Sequence, residues 1–104
     1  AQFREDYADY AVDGDGDNIA FVDGMICESS NWNKPQVMNQ VKKDFADSND
    51  MNFLVDTHAN EEKTAENELK TGRPGGDSMH YNTKSSLRLG MAYAKVIIDN
   101  NLLD

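Results

Sequence analysis

The sequence is poor in the residues that cross-link or interrupt small folds. Its 104 residues include one cysteine, two prolines and one tryptophan. A lone cysteine excludes an internal disulfide, so Cys27 is either buried as a small apolar side chain or paired between chains. No apolar run reaches the roughly 18 residues that a transmembrane helix needs, and this excludes a membrane span.

The sequence also lacks the motifs of common catalytic, phosphate and metal sites. It has no glycine-flanked serine, and the glycines of 72–76 are not followed by the lysine and hydroxyl residue of a phosphate-binding loop. His58 and His80, with Cys27 and Asp77, do not show the spacing of zinc ligands. A small enzyme that uses either histidine is one hypothesis, but we predict two polar surface histidines, no enzyme activity, no metal and no cofactor.

Basic residues are few. The sequence has ten Lys and Arg residues and nineteen Asp and Glu residues, which gives a net charge of −9. Such a surface repels phosphate backbones and anionic lipid headgroups, so nucleic acid and membranes are poor partners. A basic protein or a cation is favoured, although solubility alone also explains the acidity. Nine aromatic residues and 38% hydrophobic residues are enough for one folded domain spanning residues 1–104.

Apolar periodicity predicts a mainly helical fold. The longest amphipathic segment is 83–102, where Asn82 or Thr83 caps the start and one stripe is formed by Leu87, Met91, Ala94, Ile98 and Leu102. Further helices are predicted at 2–12, 18–29, 35–47 and 60–71. A buried helical turn is preferred at 51–55, because a single strand would have no partner. We therefore expect a compact bundle of four to five helices around the C-terminal helix, with a long loop at 72–82.

Three loops carry the side chains that we expect to contact a partner. Asp13, Asp15 and Asp17 alternate as in the opening of a calcium loop, but the twelfth position, which should supply a bidentate glutamate, is Gly24. Calcium binding is therefore the alternative to a partner-binding loop. Trp32 either anchors an interface or folds back over the core. The remaining candidates lie in the long loop and are Asp77, His80 and Tyr81.

Residues 24–45, GMICESSNWNKPQVMNQVKKDF, resemble the small periplasmic immunity proteins of type VI secretion systems. One group of these proteins has a helix ending near a cysteine, a short polar loop, and a helix that begins with glutamine and runs through a valine. The matching residues here are Gly24, Cys27, Gln36 and Val41. A second cysteine near the C-terminus, usual in that group, is missing. The resemblance implies a helical protein, often homodimeric, that blocks a cell-wall-cutting effector with acidic or polar loops.

The resulting functional hypothesis is an immunity protein that binds and inhibits a cognate muramidase or amidase. A charge of −9 would steer the chain to the groove of a basic hydrolase. The first residues, Ala1 and Gln2, suit a mature terminus left by signal peptidase, which predicts a periplasmic location. A homodimer is also expected, because Gly90 in the apolar C-terminal stripe allows close contact with another helix.

Overall fold

The computed structural model describes residues 1–29, 31–58 and 80–103. In chain order, the regular elements are α1 (Gln2–Asp6), β1 (Phe21–Gly24), α2 (Pro35–Asp47), β2 (Asn52–Val55) and α3 (Thr83–Asp99). Two one-turn 3-10 helices, Ala8–Tyr10 and Gly16–Asn18, separate α1 from β1. The two strands pair in parallel, with Phe21 opposite Asn52 and Gly24 opposite Val55.

The predicted bundle of four to five helices is wrong, because the described residues place a parallel β-sheet between helices. Asp23 of β1 faces α2, where its carboxylate lies 2.8 Å from the Lys42 ammonium. Gly24, the next residue, faces α3, and the Tyr93 ring lies directly over it. Successive side chains of a strand point to opposite faces of the sheet. Helices α2 and α3 therefore cover opposite faces of the two strands.

The helix predicted at 18–29 is instead strand β1 followed by an extended segment. The backbone N–H of Phe21 donates to the Met51 carbonyl at 2.9 Å, and the N–H of Met25 donates to the Val55 carbonyl at 3.1 Å. The partner is the run at 51–55, which forms β2 rather than the predicted helical turn. Each run is rich in the β-branched and aromatic residues that favour strands once a partner is present.

Helix α2 spans Pro35–Asp47, as predicted, and supplies the crossover that two parallel strands require. Its orientation differs from the prediction. Helical periodicity over 35–47 predicts that Val37, Met38, Val41 and Phe45 face inward, but the first three are 58%, 49% and 56% exposed. The buried positions are Pro35 and Asn39. The same periodicity predicts that Lys42 faces water, but its ammonium reaches inward to an ion pair with Asp23.

Helix α3 begins as predicted, with the Asn82 side chain accepting a hydrogen bond from the Ser85 N–H at 2.9 Å. It ends at Asp99, three residues before the predicted end. Asn101 has a positive φ of 54°, and the N–H of Leu102 donates back to the Ile97 carbonyl at 3.0 Å. This left-handed residue with its back-reaching bond closes the helix and satisfies a terminal carbonyl.

The apolar stripe that we expected to form the centre of the fold faces away from the sheet. Leu87, Met91 and Ile98 are 66%, 71% and 65% exposed. The opposite side of α3 covers the sheet with Tyr93 and with Ser85, which is 1% exposed. The inner side also carries the half-buried Leu89 and Val96. Helix α3 therefore has apolar residues on both sides, and the sequence pattern identified the outer side as the core.

The helix predicted at 2–12 is divided between α1 and the 3-10 helix Ala8–Tyr10. Arg4 anchors this N-terminal segment, because it is 3% exposed and two of its side-chain nitrogens donate hydrogen bonds. Nε donates to the Ile19 carbonyl at 3.0 Å, and Nη2 donates to Asn52 Oδ1 at 2.7 Å. Gly16 is required beside it, because a Cβ there would overlap the Arg4 carbonyl. One buried guanidinium thus joins α1 to the amino-terminal ends of both strands.

The helix predicted at 60–71 and most of the loop predicted at 72–82 lie outside the described residues. His80 to Asn82, the end of that loop, precede α3 without regular structure. Across residues 1–29, 31–58 and 80–103, no helix combines the length and the apolar character that a membrane crossing demands.

Candidate functional site

A cavity of about 310 Å³, which we term the strand-end cavity, lies beside the carboxyl ends of the parallel strands. In open α/β sheets, ligands bind in the crevice outside these strand ends. The lining comes from the end of β1, the loop before α2, the residues before α3 and α3 itself. In chain order, the described lining residues are Gly24, Met25, Ile26, Cys27, Trp32, His80, Tyr81, Leu89 and Tyr93.

Asn39 of α2 holds the extended part of this lining in place. Its Oδ1 accepts a hydrogen bond from the Ile26 N–H at 2.8 Å, and its Nδ2 donates to the Ile26 carbonyl at 2.9 Å. The Asn39 side chain thus pairs with Ile26 as a neighbouring strand would. Asn39 is 5% exposed, so both groups of Ile26 are satisfied in a site that water does not reach.

Gly24 permits the close approach of α3 at the end of β1. A Cβ at this position would overlap the Tyr93 hydroxyl and crowd the adjoining ring carbons. The absent side chain therefore leaves the space in which Tyr93 lies across the strand end. This is the use of glycine where another group must approach the backbone closely.

Trp32 covers the buried cysteine at one side of the cavity. Its indole Nε1–H donates to Cys27 Sγ at 3.1 Å, and Cys27 is 4% exposed and forms no disulfide. Trp32 itself remains 39% exposed. Of the two alternatives for Cys27, the structure shows the buried one, on the extended segment that follows β1. Trp32 thus folds back over Cys27 and still exposes part of its ring, so its role as an interface anchor stays a prediction.

Tyr81 is held in its neutral form over a wide pH range. Burial raises the pKa of its phenol to about 12, and the Cys27 and Tyr93 side chains add to the shift, while the nearby Thr57 side chain opposes it. Loss of the phenolic proton would leave a charge in a partly desolvated site. Tyr81 therefore contributes a neutral hydroxyl to the cavity at physiological pH.

The tyrosine pKa leads to a direct prediction. Since an exposed tyrosine has a pKa near ~10, the unfolded chain loses this proton before the folded chain does. Stability should therefore fall as pH rises from about 10 to about 12. In an absorbance titration of the folded protein, Tyr81 should ionise at a higher pH than an ordinary tyrosine. Tyr81→Phe should remove this high-pH ionisation from the titration. Tyr7→Phe, a change at an exposed residue, should leave it in place.

Charged side chains are missing from the described lining, which contains no Lys, Arg, Asp or Glu. His80 supplies an imidazole to this lining, the side chain that proteins use most often to exchange a proton. The remaining polar groups of the lining side chains are the Tyr81 and Tyr93 hydroxyls, the Cys27 thiol and the Trp32 indole. Such a site can hold an uncharged molecule, offer it hydrogen bonds and exchange a proton with it.

The acidic loop that carries Asp13, Asp15 and Asp17 does not line the strand-end cavity. Asp13 Oδ1 accepts the Asp15 N–H and Asp15 Oδ1 accepts the Asp17 N–H, each at 3.0 Å. The hydrogen bond from the Asp15 backbone, then that from the Asn18 side chain, lowers the pKa of the Asp13 carboxyl. Within the part of the chain that the structure describes, no three His, Cys, Asp or Glu side chains are grouped to hold a metal. Calcium binding by this loop stays a prediction.

The other predicted residues divide between this cavity and other places. Trp32, His80 and Tyr81 come together in the strand-end cavity, whereas Asp77 lies outside the described residues. His58 is not part of the lining; its Nδ1 lies 3.5 Å from Glu28 Oε1. The sequence thus identified three lining residues, although it assigned Trp32 to one loop and His80 and Tyr81 to another.

No protein-family model, curated protein or solved structure matches this chain. The resemblance to type VI immunity proteins therefore stays a prediction. The residues that carried it now have structural positions: Cys27 lies in the strand-end cavity, and Val41 lies on the exposed side of α2. The helix that the resemblance implies before the cysteine is strand β1.

The sequence reasoning missed the lining from β1 and α3, namely Gly24, Met25, Ile26, Leu89 and Tyr93. A signal for it was present in the sequence. The segments FVD at 21–23 and LVD at 54–56 are similar apolar runs, each ending in aspartate. They lie on either side of the predicted helix 35–47, and strands alternating with a helix are typical of a parallel β-α-β unit.

Proposed function

We propose that the strand-end cavity binds an uncharged small molecule and that His80 exchanges a proton with it. The observation that supports this function is the position of an aromatic cavity with a histidine at the carboxyl ends of two parallel strands. This is where open α/β sheets bind their ligands. A larger cavity of about 470 Å³ lies beside the N-terminal segment, but its walls include the highly exposed Tyr10 and Val12, and no histidine or cysteine is among its described lining residues.

The size and lining of the cavity support a small organic ligand. A volume of about 310 Å³ lies at the lower end of the ~300–1,000 Å³ that is usual for such sites, which are mostly apolar with a few convergent polar groups. The described lining has no Lys, Arg, Asp or Glu side chain that would balance a charged ligand. A net charge of −9 further disfavours anions. We therefore propose an uncharged ligand with an apolar face and a hydroxyl or carbonyl oxygen.

The chemistry proposed for this site is proton transfer. A neutral imidazole at His80 accepts a proton from a bound hydroxyl, or from a water beside the ligand. The Tyr81 hydroxyl, kept protonated by burial, donates a hydrogen bond to an oxygen that gains negative charge. Hydrolysis of an uncharged ester is the simplest reaction of this class. The sequence alone favoured a protein without enzyme activity, so turnover is the decisive measurement.

Binding is tested with the fluorescence of Trp32, the single tryptophan of the chain. Phenyl acetate is the probe, since it is small, uncharged and aromatic. We expect a saturable fluorescence change, and Tyr93→Leu should weaken binding by about tenfold, equivalent to ~1.4 kcal/mol. Tyr7→Leu is the matched control because Tyr7 lies outside this lining and is 59% exposed. Absence of any response, or an equal response in Tyr93→Leu, would contradict the site.

Proton transfer is tested with 4-nitrophenyl acetate. His80→Ala should keep the Trp32 response and lose ester turnover, whereas His58→Ala, at a histidine outside the lining, should keep both. If the wild-type chain binds the probe without turnover, the cavity is a binding site only and the catalytic part of the proposal fails.

A second proposal is the immunity function expected from the sequence, in which an exported chain inhibits a muramidase or amidase. It is supported by the charge of −9 and by exposed carboxylates at Asp13, Asp15 and Asp17. Inhibition of a basic muramidase should weaken at high salt, because screening shortens the range of electrostatic steering. Changing these three residues to asparagine should weaken it as well. Inhibition that is independent of both would exclude this charge-driven mechanism.

A further inference from the structure

The cavity of about 470 Å³, which we term the amino-end cavity, lies where both parallel strands begin. Ile19 and Met51 line it, and these residues come just before β1 and β2 in the chain. The strand-end cavity lies at the opposite ends of the same strands, and the two cavities share no described lining residue. The volume of the amino-end cavity is within the ~300–1,000 Å³ that is usual for small-molecule sites.

Half-buried apolar side chains from three parts of the chain form walls of the amino-end cavity. Ile19 comes from the segment before β1, Met51 from the turn before β2, and Leu102 from the residues after α3. The Met51 backbone is held by its carbonyl, which accepts the Phe21 N–H at 2.9 Å. The Leu102 backbone is held by its N–H, which donates to the Ile97 carbonyl at 3.0 Å. The apolar body of a ligand would remove the exposed parts of these side chains from water, which favours binding.

Asp13 is the single charged side chain in the described lining of this cavity. Its Oδ1 accepts the Asp15 N–H at 3.0 Å, and its Oδ2 accepts Asn18 Nδ2–H at 2.5 Å. A carboxylate has about four acceptor positions, so each oxygen retains capacity for a further donor. The same two hydrogen bonds lower the pKa of the Asp13 carboxyl. The lining therefore presents a negative charge at physiological pH.

The combination of apolar walls and one carboxylate favours an organic cation. The described lining has no Lys, Arg or His side chain that would repel a positive charge, and the net charge of −9 attracts cations. Tyr10, which also lines the cavity and is 83% exposed, supplies an aromatic ring with which a cation interacts favourably. A calcium ion is less suited to this cavity, because it takes ~6–8 oxygen ligands and most of the described lining is apolar.

We infer that the amino-end cavity binds a small arylalkyl ammonium ion, with the ammonium group at the Asp13 carboxylate and the aromatic ring among Ile19, Met51 and Leu102. The strand-end cavity has no charged side chain of this kind in its described lining, so the two cavities favour different ligands. This inference is independent of the proposed function. A chain that fails to bind phenyl acetate can still bind the amine, and Tyr93→Leu should leave amine binding unchanged.

The location is tested by an NMR titration of the full chain, isotope-labelled at its methionine methyl groups, with phenethylammonium chloride. The methyl signal of Met51 should shift saturably, because Met51 lines the amino-end cavity. The signal of Met25, which lines the strand-end cavity, should stay in place. Met51→Leu and Met25→Leu identify the two signals by their loss. A Met51 signal that does not respond, or a response at Met25 alone, would overturn the inference.

The role of the carboxylate is tested in the same titration. Asp13→Asn should raise the dissociation constant of the amine by about tenfold, equivalent to ~1.4 kcal/mol, while it retains an oxygen that can accept the Asp15 N–H. Asp9→Asn is the matched control, because it removes the same charge from an exposed residue outside the described lining. Equal weakening by both variants would show that net charge alone attracts the amine, and the site at Asp13 would be excluded.

Two further probes define the ligand class with the unaltered chain. Phenethyl alcohol has the same aromatic body without the charge, and it should bind at least about tenfold more weakly than the amine. Nα-acetyl-lysine methylamide carries an ammonium group on a peptide backbone, and it should also bind more weakly because it lacks the aromatic ring. Equal binding of the alcohol would contradict recognition of a cation. Tighter binding of the lysine derivative would make a basic peptide the occupant and overturn the inference.

Discussion

Replacing Arg4 with alanine is expected to lower the free energy of unfolding by roughly 3–4 kcal/mol, since hydrogen bonds from a charged group contribute ~1.5–3 kcal/mol each. Two such bonds are lost, to the Ile19 carbonyl and to the Asn52 side chain. The acceptors would remain in a site where the arginine itself is 3% exposed. Urea denaturation monitored by circular dichroism measures the change through the shift in midpoint.

The size of this effect follows from the position of Arg4 between several elements. Asn52, which accepts from Arg4, also donates to the Phe45 carbonyl near the end of α2 at 2.8 Å. The arginine therefore connects α1, the approach to β1, the start of β2 and the end of α2. A small domain of this length has only ~5–15 kcal/mol of stability in total. Loss of the connection should remove a large share of it.

Two further variants separate the charge of Arg4 from its geometry. Arg4→Lys keeps the charge but lacks the planar guanidinium that reaches both acceptors. Its free energy of unfolding should therefore lie between those of the wild type and Arg4→Ala. Lys43→Ala is the control, because it removes an exposed cation whose partner is Asp47, and its midpoint should stay close to that of the wild type. An Arg4→Ala midpoint equal to that of Lys43→Ala would contradict the anchoring role.

Replacing Asn39 with aspartate is expected to cost roughly 2–4 kcal/mol at neutral pH, because a buried group that loses its hydrogen bond costs ~1–3 kcal/mol and more when charged. The Oδ1 that accepts from the Ile26 N–H is retained. The Nδ2 that donates to the Ile26 carbonyl is replaced by an oxygen carrying negative charge. Two acceptors then face each other at a position that is 5% exposed.

The penalty for Asn39→Asp should depend on pH in a defined direction. Burial and the facing carbonyl raise the pKa of the introduced carboxyl in the folded state above its unfolded value of about 4. The penalty from ionisation is therefore absent below pH ~4 and grows as pH rises above it. The measured quantity is the difference in unfolding free energy between variant and wild type at each pH, so effects of the other carboxylates cancel.

A control on the same helix makes the Asn39 result specific. Gln36→Glu adds the same charge at an exposed position in the first turn of α2, where negative charge is favourable. It should leave stability unchanged or slightly higher, with no growing penalty above pH ~4. If Asn39→Asp behaves in the same way, the Ile26 pairing does not hold the cavity wall.

Local sequence signals were sufficient to predict two of the three α-helices in the described part of the chain. Pro35 at the first turn and the polar residues after Asp47 bounded α2 correctly, and Asn82 marked the start of α3. These features act within a few residues, so the sequence displays them directly. The end of α3 was misplaced because apolar spacing continued to Leu102, while Asn101 adopted the left-handed conformation that stops a helix.

The orientation of both helices could not be predicted from apolar content alone. Each has apolar residues on two sides, and the periodicity selected the exposed set, such as Val41 on α2 and Met91 on α3. The buried sides contain polar residues with specific partners: Asn39 bonds Ile26, and Lys42 bonds Asp23. A polar residue is predicted to be exposed unless its hydrogen-bond partner is known. These partners are distant in sequence, so the burial of Asn39 and Lys42 could not be predicted.

The sequence by itself determined the acidic charge, the absence of a disulfide, the helix at 35–47 and the capped start of the C-terminal helix. Tertiary structure decided the fold class and the site. Two four-residue runs became strands only because each supplied hydrogen bonds to the other across 27 intervening residues, 25–51. That pairing brought Trp32, His80 and Tyr81 around one cavity. A strand depends on a partner elsewhere in the chain, whereas a helix satisfies its backbone within its own residues.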